Sequence, residues 1–432
     1  MKKIIATFLG ISILCFSISC RKKDKSDECP VCPVIDGFTP GHGKYLDTIY
    51  ISGKNFKTNP DGLSLNFDFN GMPAKYVSVK NDGEAMAVIP KKCGTGPIRA
   101  YYDNELYGES STAFVYDFVN VVSTFAGKCS SGTLENTDPL LANIYSPDNI
   151  FLDEPRGYVY VISNGTDLCR IGSGGLKKII TTSDYVQAGA CDSYGNIYLA
   201  FSDYIAKVET GVVTSLKAVA GLSGTPGHVD AVGTAARFSG IASMIIDEDN
   251  FYIGENSYIR KMDVKTSTVS SISGTSTVGF FDGPAASAKF NYIASLAIDK
   301  NKNLYIADWN NSRIRKLANG AVSTIAGDGT ESIKNGIGTS AQLQKPRSLA
   351  VDYEGNNIYF SDSFITTFMR KMNVATGEVS YFSGDLSLTG STDGSVDIAT
   401  YNNPVYLIYA KNANAIYIAD NFNCKIRKVS FE

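Results

Sequence analysis

Residues 296–327 read LAIDKNKNLYIADWNNSRIRKLANGAVSTIAG, and this stretch decides the fold because its pattern recurs through most of the chain. It holds an apolar run ending in Asp299, a strand centred on Tyr305, a strand ending in Arg-Lys and a Val-Ser strand ending in Gly. Polar turns rich in Asn, Asp and Gly separate these runs, as is typical of short β-strands joined by tight turns. The stretch therefore predicts four consecutive antiparallel strands.

The same four-strand pattern occurs six times in residues 118–432. Its central tyrosines are Tyr160, Tyr198, Tyr252, Tyr305, Tyr359 and Tyr417, which are spaced by 38, 54, 53, 54 and 58 residues. Four short strands that repeat in this way predict the blades of a β-propeller. The motifs resemble those of the NHL repeat family, most strongly at 291–327 and 346–384.

One strand of the pattern is displaced from the end of the repeats to their beginning. The sixth copy has no Val-Ser strand after it, whereas residues 121–127, VVSTFAG, precede the first copy without a repeat of their own. An open sheet edge invites pairing with other chains. We therefore expect residues 119–127 to supply the outer strand of the last blade and to close a ring of six blades.

A different pattern precedes the repeats. Short β-type runs alternate with Gly, Pro and Asn turns, which indicates an immunoglobulin-like sandwich. The motifs IDGFTP at 35–40 and IYISGKNF at 49–56 resemble the IPT/TIG family, whose members act as spacers and interaction modules. The expected fold is all-β: an immunoglobulin-like (IPT/TIG) sandwich at 34–117, followed by a six-bladed NHL-type β-propeller at 118–432 closed by an N-terminal strand.

The first residues have the composition of an export signal. A basic start precedes an apolar run at 4–18, which is shorter than the roughly 20 residues that a membrane-spanning helix requires. The run ends in Ser17-Ile18-Ser19-Cys20, which resembles the lipobox of bacterial lipoproteins, and a charged spacer follows. We expect a signal peptide at 1–19, a lipid on Cys20 and a tether at 20–33. The resemblance implies an outer-membrane lipoprotein, exposed at the cell surface, of the kind found in Bacteroidetes.

Overall composition excludes several classes of protein. The chain has 432 residues, of which 44% are hydrophobic and 19% charged, so it is neither a multi-span membrane protein nor a disordered chain. Its 40 Lys and Arg against 43 Asp and Glu provide no field that attracts a phosphate backbone, and we expect no nucleic-acid partner. Export permits disulfides, and the seven cysteines after Cys20 leave at least one thiol unpaired, with the pairing open.

Few residues have the chemistry of a catalytic or metal site. His42 and His228 fall in different predicted domains and cannot build a histidine-rich metal site. Equivalent aspartates in three copies suit either a calcium site or strand-end turns, and turns are the preferred interpretation: Asp308, Asp362 and Asp420. The Arg-Lys pairs are expected on solvated strand faces. We expect no cofactor, no metal and no catalytic residue.

An aromatic residue recurs in the turn between the Tyr strand and the Arg-Lys strand in five of the six copies. Aromatic rings cover the apolar face of a sugar, while neighbouring amides and carboxylates pair with its hydroxyls. The predicted ligand-binding residues are Trp309, Tyr204, Tyr258, Asn310, Asn256, Phe364 and Phe422. Alternatively the rings fill gaps between blades, which is the preferred interpretation for Phe364 and Phe422 and an equal one for Trp309.

These observations predict a non-catalytic role in the cell envelope. We expect the propeller face to bind a polysaccharide or oligosaccharide. The arrangement of anchor, sandwich and propeller resembles surface lipoproteins of Bacteroidetes that accompany glycan-uptake systems, and this resemblance implies a place in such a system beside outer-membrane transport proteins. The alternative is a scaffold that binds a partner envelope protein. A lyase or hydrolase is the third possibility.

Overall fold

The computed structural model describes residues 32–431 except 44–46, 58–63, 91–92, 94, 103–104, 117–119, 130–131, 212 and 364–365. The expected signal peptide, Cys20 and Phe364 therefore lie outside the described residues. The chain forms two compact units, Met1–Phe118 and Val119–Glu432, which we call unit 1 and unit 2. Among the residues described, no helix is long and apolar enough to span a bilayer.

Unit 1 consists of two facing β-sheets. Its strands are β1 (Val34–Thr39), β2 (His42–Gly43), β3 (Thr48–Lys54), β4 (Leu65–Phe69), β5 (Met72–Pro73), β6 (Tyr76–Asn81), β7 (Glu84–Val88), β8 (Gly96–Tyr102) and β9 (Glu105–Tyr116). Within the described ranges one sheet has the order β1-β3-β7-β6 and the other β2-β9-β8-β4-β5. Alternate residues point inward, and Phe56, Phe67, Phe69 and Phe114 fill the space between the sheets.

In unit 2 the described residues form six further sheets, which we number in chain order. Sheet 1 contains β11 (Pro147–Asp153), β12 (Tyr158–Ser163), β13 (Asp167–Gly172) and β14 (Gly175–Thr181). Sheet 2 contains β15 (Ala188–Cys191), β16 (Ile197–Ala200), β17 (Tyr204–Glu209) and β18 (Ser215–Gly221). Sheet 3 contains β19 (Ile241–Asp247), β20 (Asn250–Glu255), β21 (Tyr258–Asp263) and β22 (Val269–Gly274).

Sheets 4 to 6 each add a two-residue strand at the outer edge. Sheet 4 contains β23 (Gly283–Pro284), β24 (Ile293–Ile298), β25 (Leu304–Asp308), β26 (Arg313–Ala318) and β27 (Ala321–Ala326). Sheet 5 contains β28 (Gly336–Ile337), β29 (Pro346–Val351), β30 (Asn357–Asp362), β31 (Phe368–Asn373) and β32 (Glu378–Gly384). Sheet 6 contains β33 (Gly394–Ser395), β34 (Pro404–Ala410), β35 (Ala415–Asp420), β36 (Lys425–Ser430) and β10 (Val121–Ala126). Single 3₁₀ turns lie at Pro139–Leu141, Glu154–Arg156, Gly233–Ala235, Ala285–Ser287, Trp309–Asn311, Gly338–Ser340 and Asn421–Asn423.

The sheets are arranged in the manner of a β-propeller. The innermost strands contact one another in the order β11, β15, β19, β24, β29 and β34, and β34 also contacts β11. Hydrophobic clusters lie between consecutive sheets, and one cluster joins sheet 6 to sheet 1 through Ile426 and Ile150. β10, which lies in the segment expected to supply an outer strand, pairs antiparallel with β36, with Val122 opposite Val429.

The arginine of each Arg-Lys pair in sheets 3 to 6 is buried, contrary to the expectation of solvated strand faces. Arg260, Arg315, Arg370 and Arg427 have no exposed side-chain surface. Alternation along the strand places the neighbouring lysine on the other, partly exposed side. Each arginine pairs with an acidic residue at the end of the preceding strand, for example Arg315 Nη1 with Asp308 Oδ2 at 2.6 Å.

The same pairs correct the interpretation of the strand-end aspartates as turn formers. The carboxylates are fully buried and bind arginine: Asp362 lies 2.6 Å from Arg370, and Asp420 lies 3.0 Å from Arg427. Each also accepts a backbone N–H from the link that enters its sheet, as Asp308 does from Asn291 at 2.8 Å. The three aspartates therefore fasten these links to the arginines, and no three His, Cys, Asp or Glu side chains of the described ranges group as metal ligands.

Candidate functional site

One end of unit 2 brings together the starts of the innermost strands, the turns that follow the Tyr strands and the links between sheets. We call this end the upper face. It has a central opening of about 350 Å³, the axial pocket. Such loops and strand ends on a rigid scaffold are where binding residues concentrate.

All six sheets contribute one equivalent residue to the axial pocket. In each copy it lies five residues before the turn aspartate, or before Ala410 in the sixth copy. These residues are Asp148, Gln187, Ala242, Ala294, Arg347 and Val405. Three are small or aliphatic, and three are polar or charged, so the polar groups converge on the axis from different directions.

Local backbone geometry explains why these side chains reach the axis. In five of the six innermost strands the pairing register shifts at this residue: Asp148, Ala242, Ala294, Arg347 and Val405. A bulge of this kind leaves one residue unpaired and redirects its side chain. The repeat therefore points one side chain per bulged strand into the pocket, independently of the inward-outward alternation.

Aromatic rings form the wall of the axial pocket. Trp309, Tyr292, Tyr185 and Tyr406 line it. Trp309 is partly buried and begins the 3₁₀ turn Trp309–Asn311, and its backbone N–H donates to the carbonyl of Tyr292 at 3.0 Å. Tyr185 is 51% exposed. The pocket thus offers flat apolar surfaces beside a few polar groups, which is the general form of a small-ligand site.

The charged groups of the axial pocket are partly removed from water. Burial raises the pKa of Asp148, although the Tyr185 hydroxyl and the charge of Arg347 oppose the rise. Burial also lowers the pKa of the Arg347 guanidinium and raises the pKa of Tyr185 to about 12. The amide of Asn421 donates to Asp148 Oδ1 at 3.1 Å, which fixes the carboxylate at the rim. The tyrosine therefore remains a neutral donor, and the pocket presents hydrogen-bond donors and acceptors together.

A second opening of about 370 Å³ lies beside the axial pocket, and we call it the outer cavity. Its lining includes Asn256, Tyr258, Asn291, Tyr292 and Asn310. Asn256 and Asn310 are exposed, and the ring of Tyr258 stacks on His228 at 3.6 Å between centroids. Tyr292 lines both openings and so separates them.

The structure divides the residues predicted from the aromatic turns. Trp309 lines the axial pocket, whereas Asn256, Tyr258 and Asn310 line the outer cavity. Phe364 is among the residues that are not described.

Tyr204 and Phe422 lie elsewhere. The ring of Tyr204 stacks on Phe201 at 4.4 Å, and its hydroxyl donates to Asp184 at 2.9 Å, so it packs into a blade and lines neither opening. Phe422 is 52% exposed, so the expectation that it folds inward is wrong, and it too lines neither opening.

Sequence reasoning missed the residues that form most of the axial pocket. These residues lie in or beside the starts of the innermost strands, outside the aromatic turns from which the binding residues were predicted: Asp148, Tyr185, Tyr292, Arg347 and Tyr406. An alignment of the repeats on the turn aspartate shows two charged residues at one position that is small or aliphatic in three copies and glutamine in another. That irregularity was the available signal for Asp148 and Arg347.

A serine, a histidine and a carboxylate lie in series near the outer cavity. Ser271 Oγ is 3.0 Å from His228 Nε2, and His228 Nδ1 is 2.9 Å from Glu255 Oε1. However, Asp230 accepts both the hydroxyl of Ser271 at 3.0 Å and its backbone N–H at 2.8 Å. These bonds occupy the nucleophile and an N–H that a developing oxyanion would need.

The serine-carboxylate part of this series belongs to the architecture of the repeats. Thr324 binds Asp282 in the same way in sheet 4, and Thr124 binds Asp393 in sheet 6. Each pair holds the link between sheets against the outer strand. The arrangement around Ser271 therefore has a structural explanation and does not favour nucleophilic catalysis.

Comparison with protein families identifies two segments. Residues 33–116 match the IPT/TIG domain and residues 290–317 match the NHL repeat. The human NHL repeat-containing protein 2 is 26% identical over 138 residues, which are 30% of this chain and 19% of the human protein. The chain thus spans about a fifth of the length of the curated relatives that it matches first.

Solved structures from Bacteroides resemble nearly the whole chain. An auxiliary nutrient binding protein from Bacteroides ovatus is 16% identical with a TM-score of 0.64, covering 93% of this chain and 98% of that one. A protein of unknown function from Bacteroides thetaiotaomicron is 18% identical with a TM-score of 0.59, covering 94% and 99%. At these identities the likeness shows the shared fold.

Proposed function

We propose that this protein is an exported, lipid-anchored glycan-binding protein that captures a polysaccharide or oligosaccharide without transforming it. Binding takes place on the upper face of unit 2, which we propose is a closed six-bladed NHL-type propeller. The observation that carries the proposal is the axial pocket. Aromatic side chains line it, and bulged strands direct Asp148 and Arg347 into it.

The composition of the pocket suits a sugar better than a purely apolar ligand. The rings of Trp309, Tyr292 and Tyr185 offer surfaces for C–H faces, and Asp148 and Arg347 offer an acceptor and donors for hydroxyls. The similar Bacteroides ovatus structure is described as an auxiliary nutrient binding protein, which agrees with the capture of a ligand.

Anchoring through Cys20 at the outer membrane and display at the cell surface belong to the same proposal. The support is the lipobox-like sequence together with the disulfide between Cys129 and Cys424. Disulfides form and persist in oxidising compartments, which an exported protein enters. In this arrangement the IPT/TIG domain at 33–116 acts as the spacer between the anchor and unit 2.

Binding of a partner envelope protein is the second candidate function. Exposed apolar side chains on the links of the upper face favour it, including Val278, Phe280, Leu386 and Leu388, each between 45% and 58% exposed. Exposed apolar groups mark interaction surfaces where they form a contiguous patch, and each of the two links carries a pair of them. Co-purification of an outer-membrane transport protein in fixed stoichiometry, with no retention by polysaccharides, would favour this function. A lyase or hydrolase remains third, and analysis of glycans after incubation would reveal its products.

We expect Trp309→Ala to weaken glycan binding at least tenfold, because covering an aromatic face contributes about 1.5–3 kcal/mol. The measurement is affinity electrophoresis in gels containing starch, xylan, polygalacturonate, yeast mannan, inulin or chondroitin sulfate. Asn301→Ala is the matched control, since Asn301 is exposed in the turn at the opposite end of the same sheet. Melting temperatures of both variants establish that they are folded. Equal retention of the Trp309 variant and the parent, or no retention of the parent by any polymer, would contradict the proposal.

A further inference from the structure

We propose that the outer cavity is a second sugar subsite and that Tyr292 is the platform shared by two consecutive units of one oligosaccharide. This inference rests on the proposed function. It adds that the site recognises consecutive sugar residues of one oligosaccharide, with one sugar in the axial pocket and the next over Asn256 and Asn310. The two openings adjoin at Tyr292, which lines both.

The backbone of Tyr292 is the first argument. Its φ is +66°, in the left-handed region that bulky side chains rarely adopt. The corresponding residue before the innermost strand is Gly240 in sheet 3 and Asn403 in sheet 6, with φ of +75° and +63°. Ser146 of sheet 1 is left-handed as well, with φ of +40°, whereas Tyr185 of sheet 2 and Lys345 of sheet 5 are not. Where the chain takes this left-handed turn, glycine or asparagine adopts it with less strain. An aromatic ring at this position is explained by what it contacts rather than by the fold.

The setting of the ring is the second argument. Tyr292 lines both openings and is 40% exposed, so its ring is accessible to a ligand. Trp309 N–H donates to the carbonyl of Tyr292 at 3.0 Å, and Asn310 N–H donates to the carbonyl of Asn291 at 3.0 Å. The turn that carries Trp309 and Asn310 is thereby fixed against the link that carries Tyr292. Trp309 faces the axial pocket and Asn310 the outer cavity, so one rigid element supplies groups to both.

The chemistry of the outer cavity is the third argument. The amide nitrogen of Asn256 donates to the carbonyl of Ser239 at 2.7 Å, and that of Asn310 donates to Asn291 Oδ1 at 3.3 Å. Among the described residues the amide oxygens of Asn256 and Asn310 accept no hydrogen bond. Two oriented, exposed acceptors beside the rings of Tyr258 and Tyr292 are suited to sugar hydroxyls. The two amides therefore suit the hydroxyl-bearing face of a sugar unit at this subsite.

Calorimetric titration with the monosaccharide and with size-fractionated di- and tetrasaccharides tests the inference; the sugars are prepared from the polymer that retains the parent protein. We expect about tenfold tighter binding of the disaccharide, which fills both openings, than of the monosaccharide. Asn256→Ala and Asn310→Ala should each remove about fivefold of disaccharide affinity and leave monosaccharide affinity unchanged, as a lost hydrogen bond predicts. Asn301→Ala should change neither.

Tyr292→Asn, which places the sheet 6 residue in sheet 4, separates a ligand-contacting role from a structural one. We expect its binding of the monosaccharide and of the disaccharide to fall at least tenfold while its melting temperature stays level or rises, because the strained ring is gone. Parent-like binding by Tyr292→Asn, or equal disaccharide affinity in the Asn256 and Asn310 variants and the parent, would overturn the second subsite while leaving glycan capture intact. If no polymer retains the parent, glycan capture and the subsite fail together.

Discussion

The double variant Cys129→Ser, Cys424→Ser should melt about 8 °C below the oxidised parent. The bridge joins residues 295 positions apart, and linking ends that distant in the unfolded chain contributes about 5 kcal/mol. It lies beside the pairing of β10 with β36, where the first and last strands of unit 2 meet. With an unfolding entropy of about 2 cal/mol/K per residue, a loss of that size corresponds to the expected shift.

A comparison of four samples attributes the effect to this bond. The parent and the double variant are each melted with and without dithiothreitol. Reduction alone is ambiguous, because Cys32 is disulfide-bonded as well. Cys93, Cys169 and Cys191 are buried, and burial raises the pKa of Cys169 to about 12, so these thiols exchange slowly in the folded protein. We expect the reduced parent to have the same melting temperature as the double variant. In the double variant, reductant should not lower the melting temperature of unit 2 any further. If the oxidised parent and the double variant melt within 2 °C of each other, the pairing of β10 with β36 alone holds the two ends of unit 2 together.

The repeat pattern allowed more of the fold to be predicted than of the site. Strand positions follow from alternation and turn residues, and the unmatched segment at 121–127 indicated a pairing partner for the last copy. Burial of Arg315 was not predictable in this way, because a charged residue on a strand normally indicates a solvated face. Its charge is compensated by two carboxylates, those of Asp308 seven residues earlier and of Asp282 in the preceding link, and this pairing allows it to be buried.

The axial pocket was missed for a related reason. Its residues occupy bulges, and a bulge interrupts the period of two on which strand assignments depend. Arg347 and Asp148 carried a signal only when the six copies were compared with one another. Trp309, by contrast, was found because it is the one tryptophan of the sequence and lies in a turn, where exposed residues are expected.

Arg315→Met should destabilise the protein by about 3–5 kcal/mol near pH 8, because removal of one partner leaves buried carboxylates without their counter-charge. All five N–H groups of Arg315 are used: two donate to Asp282 and one to Asp308, and two donate to the carbonyls of Phe281 and Lys289. In Arg260, Arg370 and Arg427 the Nε has no partner among the described residues, so Arg315 is the most completely bonded of the four. Chemical denaturation measures the change.

The adjacent Lys316→Met is the matched control for the loss of a positive charge from the same strand. Lys316 points to the other side of the sheet, is partly exposed and has its Nζ 5.4 Å from the ring centroid of Tyr305. A contact of that kind contributes about 0.5–1 kcal/mol at an exposed site. A loss in Arg315→Met no larger than in Lys316→Met would mean that the buried pairs add no stability beyond packing.

The pH dependence of Arg315→Met distinguishes an uncompensated charge from a cavity. Burial already raises the pKa of Asp308, while the N–H of Asn291, the amide of Asn311 and the charge of Arg315 hold it down. Without the arginine this pKa rises further. A carboxyl whose pKa is higher in the folded than in the unfolded state contributes stability below its unfolded pKa, near 4, and loses that contribution as the pH rises through the folded value. The deficit of Arg315→Met relative to the parent should therefore be smallest near pH 4–5 and largest near pH 8. A cavity left by the missing side chain would produce the same deficit at both.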